Sequence, residues 1–259
     1  VLYPFAPLKQ AYPEIDFFST NRLDSDIPLI EIGDEYNVVP QSLLAAPRIP
    51  FKDKIPKVLT MYRNCDSRSG RQDYIRSFVQ AFPSLVANHG KCWDGQSKTG
   101  AYSKAGVQEK SMLTRQHMFS FCLENSYVTD YVSEKVYQAL AGGSVPIYKG
   151  APNAAKDLIP CEQCVIWVDD YPTADTLGEY LQYLISNQTA YEEYFAWKQS
   201  PRKDVMRTLE RYSLDSALCR WTNLATPVTA GARSTDTAIY EARLTASATA
   251  KTDVNTNNK

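Results

Sequence analysis

Apolar and polar positions alternate without order over residues 1–50 and become periodic afterwards. The first stretch is broken by prolines and holds only short extended pieces such as Ile27-Pro28-Leu29-Ile30. An apolar run at 57–61 predicts a strand ending at Asn64-Cys65. Ser69 reads as a helix cap, and Ile75, Phe78 and Val79 mark the inward face of a helix over 71–81. A short strand at 84–87 follows, then a loop over 88–106 rich in Gly, Ser and Lys. Residues 118–123 predict a buried strand, and 124–130 a polar loop. Val136, Ala139 and Leu140 then lie on one face of a helix that Gly142 and Gly143 stop, before a strand at 145–148. A strand at 165–168 precedes a helix over 174–186, with Leu177, Tyr180, Leu181 and Leu184 at helical spacing. A further helix over 190–198 turns Tyr191, Tyr194 and Phe195 to the core. Strands alternating with helices predict an α/β fold with a parallel sheet and right-handed crossovers. Beyond Trp221 the chain is mostly Thr, Ala, Asn and charge, and 222–259 is expected to be a disordered tail.

Composition narrows the function. With 28 Lys and Arg against 29 Asp and Glu, the net charge is -1, which gives no electrostatic case for nucleic acid or an acidic membrane surface. The sequence has no apolar run of ~18 residues, and Val1 does not open a signal peptide, so any targeting segment is expected outside this chain. Cys161 and Cys164 fit a zinc half-site, a redox motif or a small-loop disulfide. Without a second such pair, and with only His89 and His117 available, a disulfide or plain thiols fit better than zinc. Asn187-Gln188-Thr189 is a candidate glycosylation sequon.

The stretch 118–152 carries the chemistry. It is a β-loop-α-β unit, so its loop lies where open α/β sheets bind ligands, beside a helix amino end that favours anions. Glu134 and Lys135 open the helix. Side chains adjacent in sequence diverge by about 100°, and Lys135 has Tyr131 and Ala139 at four residues either side. The helix therefore offers this lysine no carboxylate, and it requires an anion from elsewhere. Neither Asp24-Ser25-Asp26 nor Asp169-Asp170 is a convincing metal site, so no metal is expected. Fixed cations and a helix amino end are the better means of meeting phosphate charge. No Gly-x-Gly-x-x-Gly motif follows the first strand, and no phosphate-loop motif is present, which argues against dinucleotide enzymes and P-loop NTPases.

The stretch resembles the α1,3-fucosyltransferases through Glu124-Asn125-Ser126, Asp130-Tyr131-Val132-Ser133-Glu134-Lys135, Ala141-Gly142-Gly143-Ser144-Val145-Pro146 and Gly150-Ala151-Pro152. Asn21-Arg22-Leu23-Asp24-Ser25-Asp26 is similar to a second signature of that family, with Asn21 in place of its usual Tyr. The resemblance implies an inverting transferase of GT-B type that moves fucose from GDP-fucose to a GlcNAc-containing glycan in α1,3 linkage, with no cofactor required. It implies a remnant of the acceptor domain over 1–50 and a Rossmann-like donor domain over 51–221. Lys135 and Arg71 would hold the diphosphate, Glu134 would accept from sugar hydroxyls, and Asn125 and Tyr131 would contact the same donor. It also implies a lumenal Golgi location, through an N-terminal membrane anchor not present in this chain. The general base is expected upstream of this chain, because Glu14, the one Glu before Arg22, does not match the family's motif. Cys65 and Cys92 each follow a predicted strand of one sheet and are candidates for a bridge. The alternative is a non-catalytic nucleotide-sugar-binding module, or an inactive fragment lacking its base.

Overall fold

A computed structural model describes residues 18–92 and 104–225. Glu14, most of the predicted 88–106 loop, and residues 226–259 of the predicted tail lie outside the described residues.

The described residues open with a short parallel pair, β1 (Ser19–Thr20) and β2 (Ile27–Pro28). The loop between them holds the second signature and is tied by internal hydrogen bonds, with the Leu23 amide donating to Asp130 and the Asn21 side-chain nitrogen buried without a partner among the described residues. Arg22 pairs with Asp24, Ser25 donates to the Arg22 carbonyl, and Asp26 accepts from the Phe18 amide. Five parallel strands follow in the order β4-β3-β5-β6-β7: β3 (Ile55–Thr60), β4 (Val86–Asn88), β5 (His117–Leu123), β6 (Val145–Lys149) and β7 (Ile166–Trp167). The predicted 165–168 strand is shorter than expected because Val168–Asp170 turns into a 3-10 helix.

Helices cover both faces of this sheet. Alternate residues of β5 and β6 point to opposite sides, so each face has its own core. Phe119, Phe121, Leu123 and Ile147 pack with α1 (Arg71–Ala81) through Ile75 and Phe78. Leu177, Leu181 and Leu184 of a later helix, Ala174–Ser186, close the same core. On the other face Cys122 and Tyr148 pack with α3 (Glu134–Gly142). Between α1 and α3 runs α2 (Lys104–Gln116), which the sequence pattern does not predict. After α4 (Ala154–Asp157), the Ala174–Ser186 helix is α5. The predicted 190–198 helix divides into α6 (Gln188–Glu193) and a 3-10 turn, Ala196–Gln199. The chain then forms α7 (Lys203–Tyr212) and α8 (Leu214–Ala225), so 222–225 is helical where a disordered tail was expected. No described helix is long and apolar enough to cross a membrane.

Residues 18–50 share the α3-side core through Ile30, Ile32, Val38 and Leu43. Polar clasps hold them there. Gln138 donates to the Tyr36 carbonyl at 2.7 Å, and the buried Lys198 ammonium donates to the carbonyls of Leu43 and Leu140. The described residues up to Ala217 belong to one compact unit, and those from Leu218 on belong to a second.

Strand order makes the site. From β3 the chain crosses through α1 to β4 on one side; from neighbouring β5 it crosses through α3 to β6 on the other. The carboxyl ends of β3 and β5 therefore flank a topological switch point, where open parallel sheets leave a crevice for ligands.

Candidate functional site

A cleft of about 240 Å³ opens at that switch point. Its floor comes from 61–64 after β3 and from Asn125 after β5. One wall is the amino end of α3 with Lys110 of α2, and the other is Glu31, Glu35 and Tyr36 of the N-terminal segment. All five donor-site residues read from the sequence line it: Arg71, Asn125, Tyr131, Glu134 and Lys135.

Lys135 is half-buried, and it is paired, contrary to the expectation that it lacks a carboxylate. Its ammonium lies 3.1 Å from Glu124 Oε2 and 2.6 Å from Ser133 Oγ, with Glu134 Oε2 at 4.0 Å. Helical spacing excludes a partner on the same helix face, but it says nothing of the strand end. Glu124 directly follows Leu123, the last residue of β5, and no part of it is exposed. The Ser133 amide donates to Glu124 Oε1 at 2.8 Å and the Ser133 hydroxyl lies 2.7 Å from Oε2. Burial alone would lower the Lys135 pKa, but the carboxylates of Glu124 and Glu134 outweigh it and hold it well above the usual lysine range.

Glu134 has its own cation. Lys110 Nζ stands 2.6 Å from Glu134 Oε1. Burial opposes ionisation of Glu134, yet Lys110 and Lys135 together hold its carboxyl well below the ordinary value. Glu31 is the opposite case: burial, with Glu134 and Glu124 nearby, pushes its carboxyl up to about 8 against the pull of Lys135. Glu31 is hydrogen-bonded to Glu134.

Arg71 is the first residue of α1 and is 3% exposed, not a surface arginine. Its Nη1 donates to the Leu123 carbonyl at 2.8 Å, and its guanidinium lies 4.1 Å from the Tyr62 ring centroid. Tyr62 in turn donates to the Phe121 carbonyl and accepts from the Leu123 amide, both at 2.9 Å, so it ties the ends of β3 and β5 together. The cap of α1 is Gly70, at φ 68°, rather than Ser69. The Ser69 hydroxyl accepts from the Arg71 amide at 3.4 Å and also reaches across, donating to the Glu124 carbonyl at 2.7 Å. Asn125 hydrogen-bonds the Tyr131 hydroxyl. Its Oδ1 and Gln138 Oε1 are buried acceptors without a partner among the described residues, and both residues line the cleft. Such orphaned acceptors favour a ligand rich in N–H or O–H groups.

The rim is set by a disulfide between Cys65 and Cys92, whose Cα atoms are 5.4 Å apart. It joins the segment after β3 to the segment after β4. Beside it, Gly90 packs so closely that a Cβ there would lie 2.5 Å from the Tyr62 amide nitrogen. A second disulfide joins Cys161 and Cys164 away from the cleft. Asn187 is not at the cleft either; it caps α6 by accepting from the Ala190 amide at 3.1 Å. Sequence reasoning missed Glu31, Tyr62 and Lys110. Tyr62 had a visible signal, since it directly follows the β3 apolar run. Lys110 had little, because the buried face of α2 is largely small and polar: Gly106, Ser111 and Thr114.

Among known proteins, Alpha-(1,3)-fucosyltransferase B of Drosophila melanogaster is 28% identical over 57% of this chain and 34% of its own length. A putative fucosyltransferase-like protein of Arabidopsis thaliana is 26% identical over 84% of this chain and 40% of its own. GDP-fucose protein O-fucosyltransferase 3 of Xenopus laevis is 28% identical over 57% of this chain and 32% of its own. The chain thus spans 32–40% of the length of these curated relatives. A crystal structure of an α1,3-fucosyltransferase with GDP-fucose is 22% identical, with a TM-score of 0.45, over 70% of this chain and 50% of that one. The family described as glycosyltransferase family 10 (fucosyltransferase), C-terminal part, matches residues 51–234, most of the chain and all of its sheet. The chain belongs to that family of fucosyltransferases.

Proposed function

We propose that this chain carries the GDP-fucose site of an α1,3-fucosyltransferase that acts on GlcNAc-containing glycans of glycoproteins or glycolipids in the Golgi lumen. The observation that supports this most is the convergence of Arg71, Lys110 and Lys135 on one cleft at the switch point, against the amino end of α3. A diphosphate there meets an arginine able to offer two parallel N–H groups and two ammonium point charges. The buried acceptors of Asn125 and Gln138 suit the N–H groups and hydroxyls of guanine, ribose or fucose. In transfer, the cations stabilise the charge that builds on the departing GDP, the largest electrostatic demand of the reaction. Glu134, kept ionised by Lys110 and Lys135, is an acceptor for sugar hydroxyls. Donor binding is proposed for residues 51–221 and the acceptor side for 1–50 with sequence upstream.

Calorimetry with GDP, GDP-fucose and UDP-glucose tests this. Binding of both guanine nucleotides at least tenfold tighter than UDP-glucose is expected. Equal or absent binding of all three refutes it.

A further inference from the structure

We propose that Asn187 carries an N-linked glycan whose first sugar packs against Tyr183. The site is not part of the cleft and does not depend on the donor assignment; it requires only passage through the secretory lumen. Asn187-Gln188-Thr189 is the one Asn-x-Ser/Thr triplet in the chain. The amide nitrogen of Asn187 bonds to the anomeric carbon of a GlcNAc borne on a lipid diphosphate, the donor of the membrane-bound oligosaccharyltransferase. The bond from that carbon to the phosphate oxygen breaks and its electron pair leaves with the lipid diphosphate. One amide proton passes to a base of that transferase. The bridges Cys65–Cys92 and Cys161–Cys164 belong to a chain that matures where thiols are oxidised, the compartment in which this donor is met.

The fold leaves room for the product and offers it a surface. Asn187 is half-buried at the turn between α5 and α6, and both Gln188 and Thr189 are exposed. A glycosylated asparagine keeps its carbonyl oxygen and one N–H. Asn187 Oδ1 accepts from the Ala190 amide at 3.1 Å, a bond that attachment leaves in place. On the same side chain, Nδ2 donates to the Tyr183 hydroxyl at 3.0 Å, so a sugar on that nitrogen starts beside the tyrosine. Tyr183 is 50% exposed. It ends a row in which Tyr171, Tyr180 and Tyr183 stack, with successive centroids 5.3 and 6.2 Å apart. Tyr180 is fixed in that row by its hydroxyl, 2.8 Å from that of Tyr194. Among the described residues Tyr183 meets no ring but Tyr180, so its outer side is free for a further layer. The face of a GlcNAc ring, lined with C–H groups, suits that layer: it covers the aromatic surface while its hydroxyls stay in water.

The test takes the full chain from the cells that produce it and reads its peptides by mass spectrometry, before and after enzymatic release of N-glycans in heavy-oxygen water. A GlcNAc-based glycan on Asn187, converted on release to a heavy-labelled aspartate, is the expected result. A bare Asn187 in molecules whose Cys65–Cys92 bridge is closed overturns the site. A bare Asn187 with both thiols free overturns it through the lumenal placement instead, so the two failures are distinct. Translation into microsomes behind an added leader gives the second reading, which needs no folded product. Asn187→Asp keeps the oxygen that accepts from Ala190 and removes the nitrogen, and Thr189→Ala breaks the triplet. Each should lose the glycan-dependent mobility shift, and a shift that persists in Thr189→Ala overturns the assignment. The contact with Tyr183 is read on protein trimmed to a single GlcNAc. It should melt about 2–4 °C above Asn187→Asp, the size of one ring contact in a domain of this length. Tyr183→Ser should close that gap, and a gap that survives the substitution overturns the packing.

Discussion

Lys135 holds two things at once, a buried carboxylate and, by proposal, a diphosphate, and a mutant cycle separates them. At 3.1 Å from Glu124 and an effective dielectric near 20, its attraction is about 5 kcal/mol before desolvation. Removing one member of a buried pair strands the other. For Lys135→Ala the stranded group is Glu124, with no exposed surface, and the expected cost is about 3–5 kcal/mol. In a domain of this size that lowers Tm by roughly 6–20 °C. Glu124→Gln keeps an oxygen for the Ser133 amide and leaves Lys135 with Glu134. The double variant Glu124→Gln/Lys135→Ala therefore recovers much of the loss, with a coupling of about 2 kcal/mol or more in urea unfolding. Its affinity for GDP stays at least tenfold below that of the parent, about 1.4 kcal/mol. An unchanged stability in Lys135→Ala refutes the buried pairing. A double variant that binds GDP as tightly as the parent refutes the phosphate role.

Three other outcomes follow from the same geometry. Replacing Cys65 and Cys92 by Ser opens a loop spanning 27 positions, and urea unfolding should show a loss of about 3–4 kcal/mol by chain entropy. Lys198→Ala leaves the Leu43 and Leu140 carbonyls without their donor and removes the clasp on residues 18–50; a loss of about 2–4 kcal/mol is expected in the same assay. Native Glu31 keeps its proton up to about 8, while the unfolded chain releases it near 4.5. The native state therefore binds more protons across that window, and this group's contribution to stability is lost as pH rises through it. Glu31→Gln should remove that slope in stability measured from pH 5 to pH 8.5, and an unaltered slope contradicts the half-buried, protonated state.

The sheet was legible because its strands are short apolar runs and its crossovers strongly periodic. Helices 71–81 and 174–186 form where the spacing of Ile75 and Phe78, and of Leu177, Leu181 and Leu184, predicts them. The paired glycines end α3 as expected, with Gly143 at φ 73° serving as its cap. Local pattern fails where partners are distant in sequence. Lys135 finds its carboxylate eleven residues earlier, across a loop, and Glu31 meets Glu134 only because 18–50 folds back on the α3-side core. Residues 203–212 pack by Val205, Met206 and Leu209 against that same core, a pattern too brief to stand out within a strongly charged stretch. Gly70 takes the cap position because it adopts the left-handed φ of 68° without a side-chain penalty, while the Ser69 hydroxyl accepts from the Arg71 amide at 3.4 Å and donates to the Glu124 carbonyl.

The cleft is preorganised and largely neutralised within itself: Lys110 faces Glu134, Lys135 faces Glu124, and Glu31 carries a proton. A diphosphate entering it competes with carboxylates already in place, so the gain per phosphate contact is a difference and not the whole ~4 kcal/mol of an isolated pair. Arg71 carries no ion pair to a carboxylate among the described residues; it donates to the Leu123 and Asn64 carbonyls and lies over the Tyr62 ring. Its charge is the one most available to an incoming anion. Lys135, by contrast, is the hinge between strand end and helix start, and its removal disturbs Glu124, Ser133 and the amino end of α3 together. Because these pairs are mostly covered, added salt screens them less than exposed charges. The larger salt dependence of GDP binding should therefore come from exposed Arg63 at the cleft mouth, whose replacement by Gln is expected to flatten it while leaving the Lys135–Glu124 pair intact.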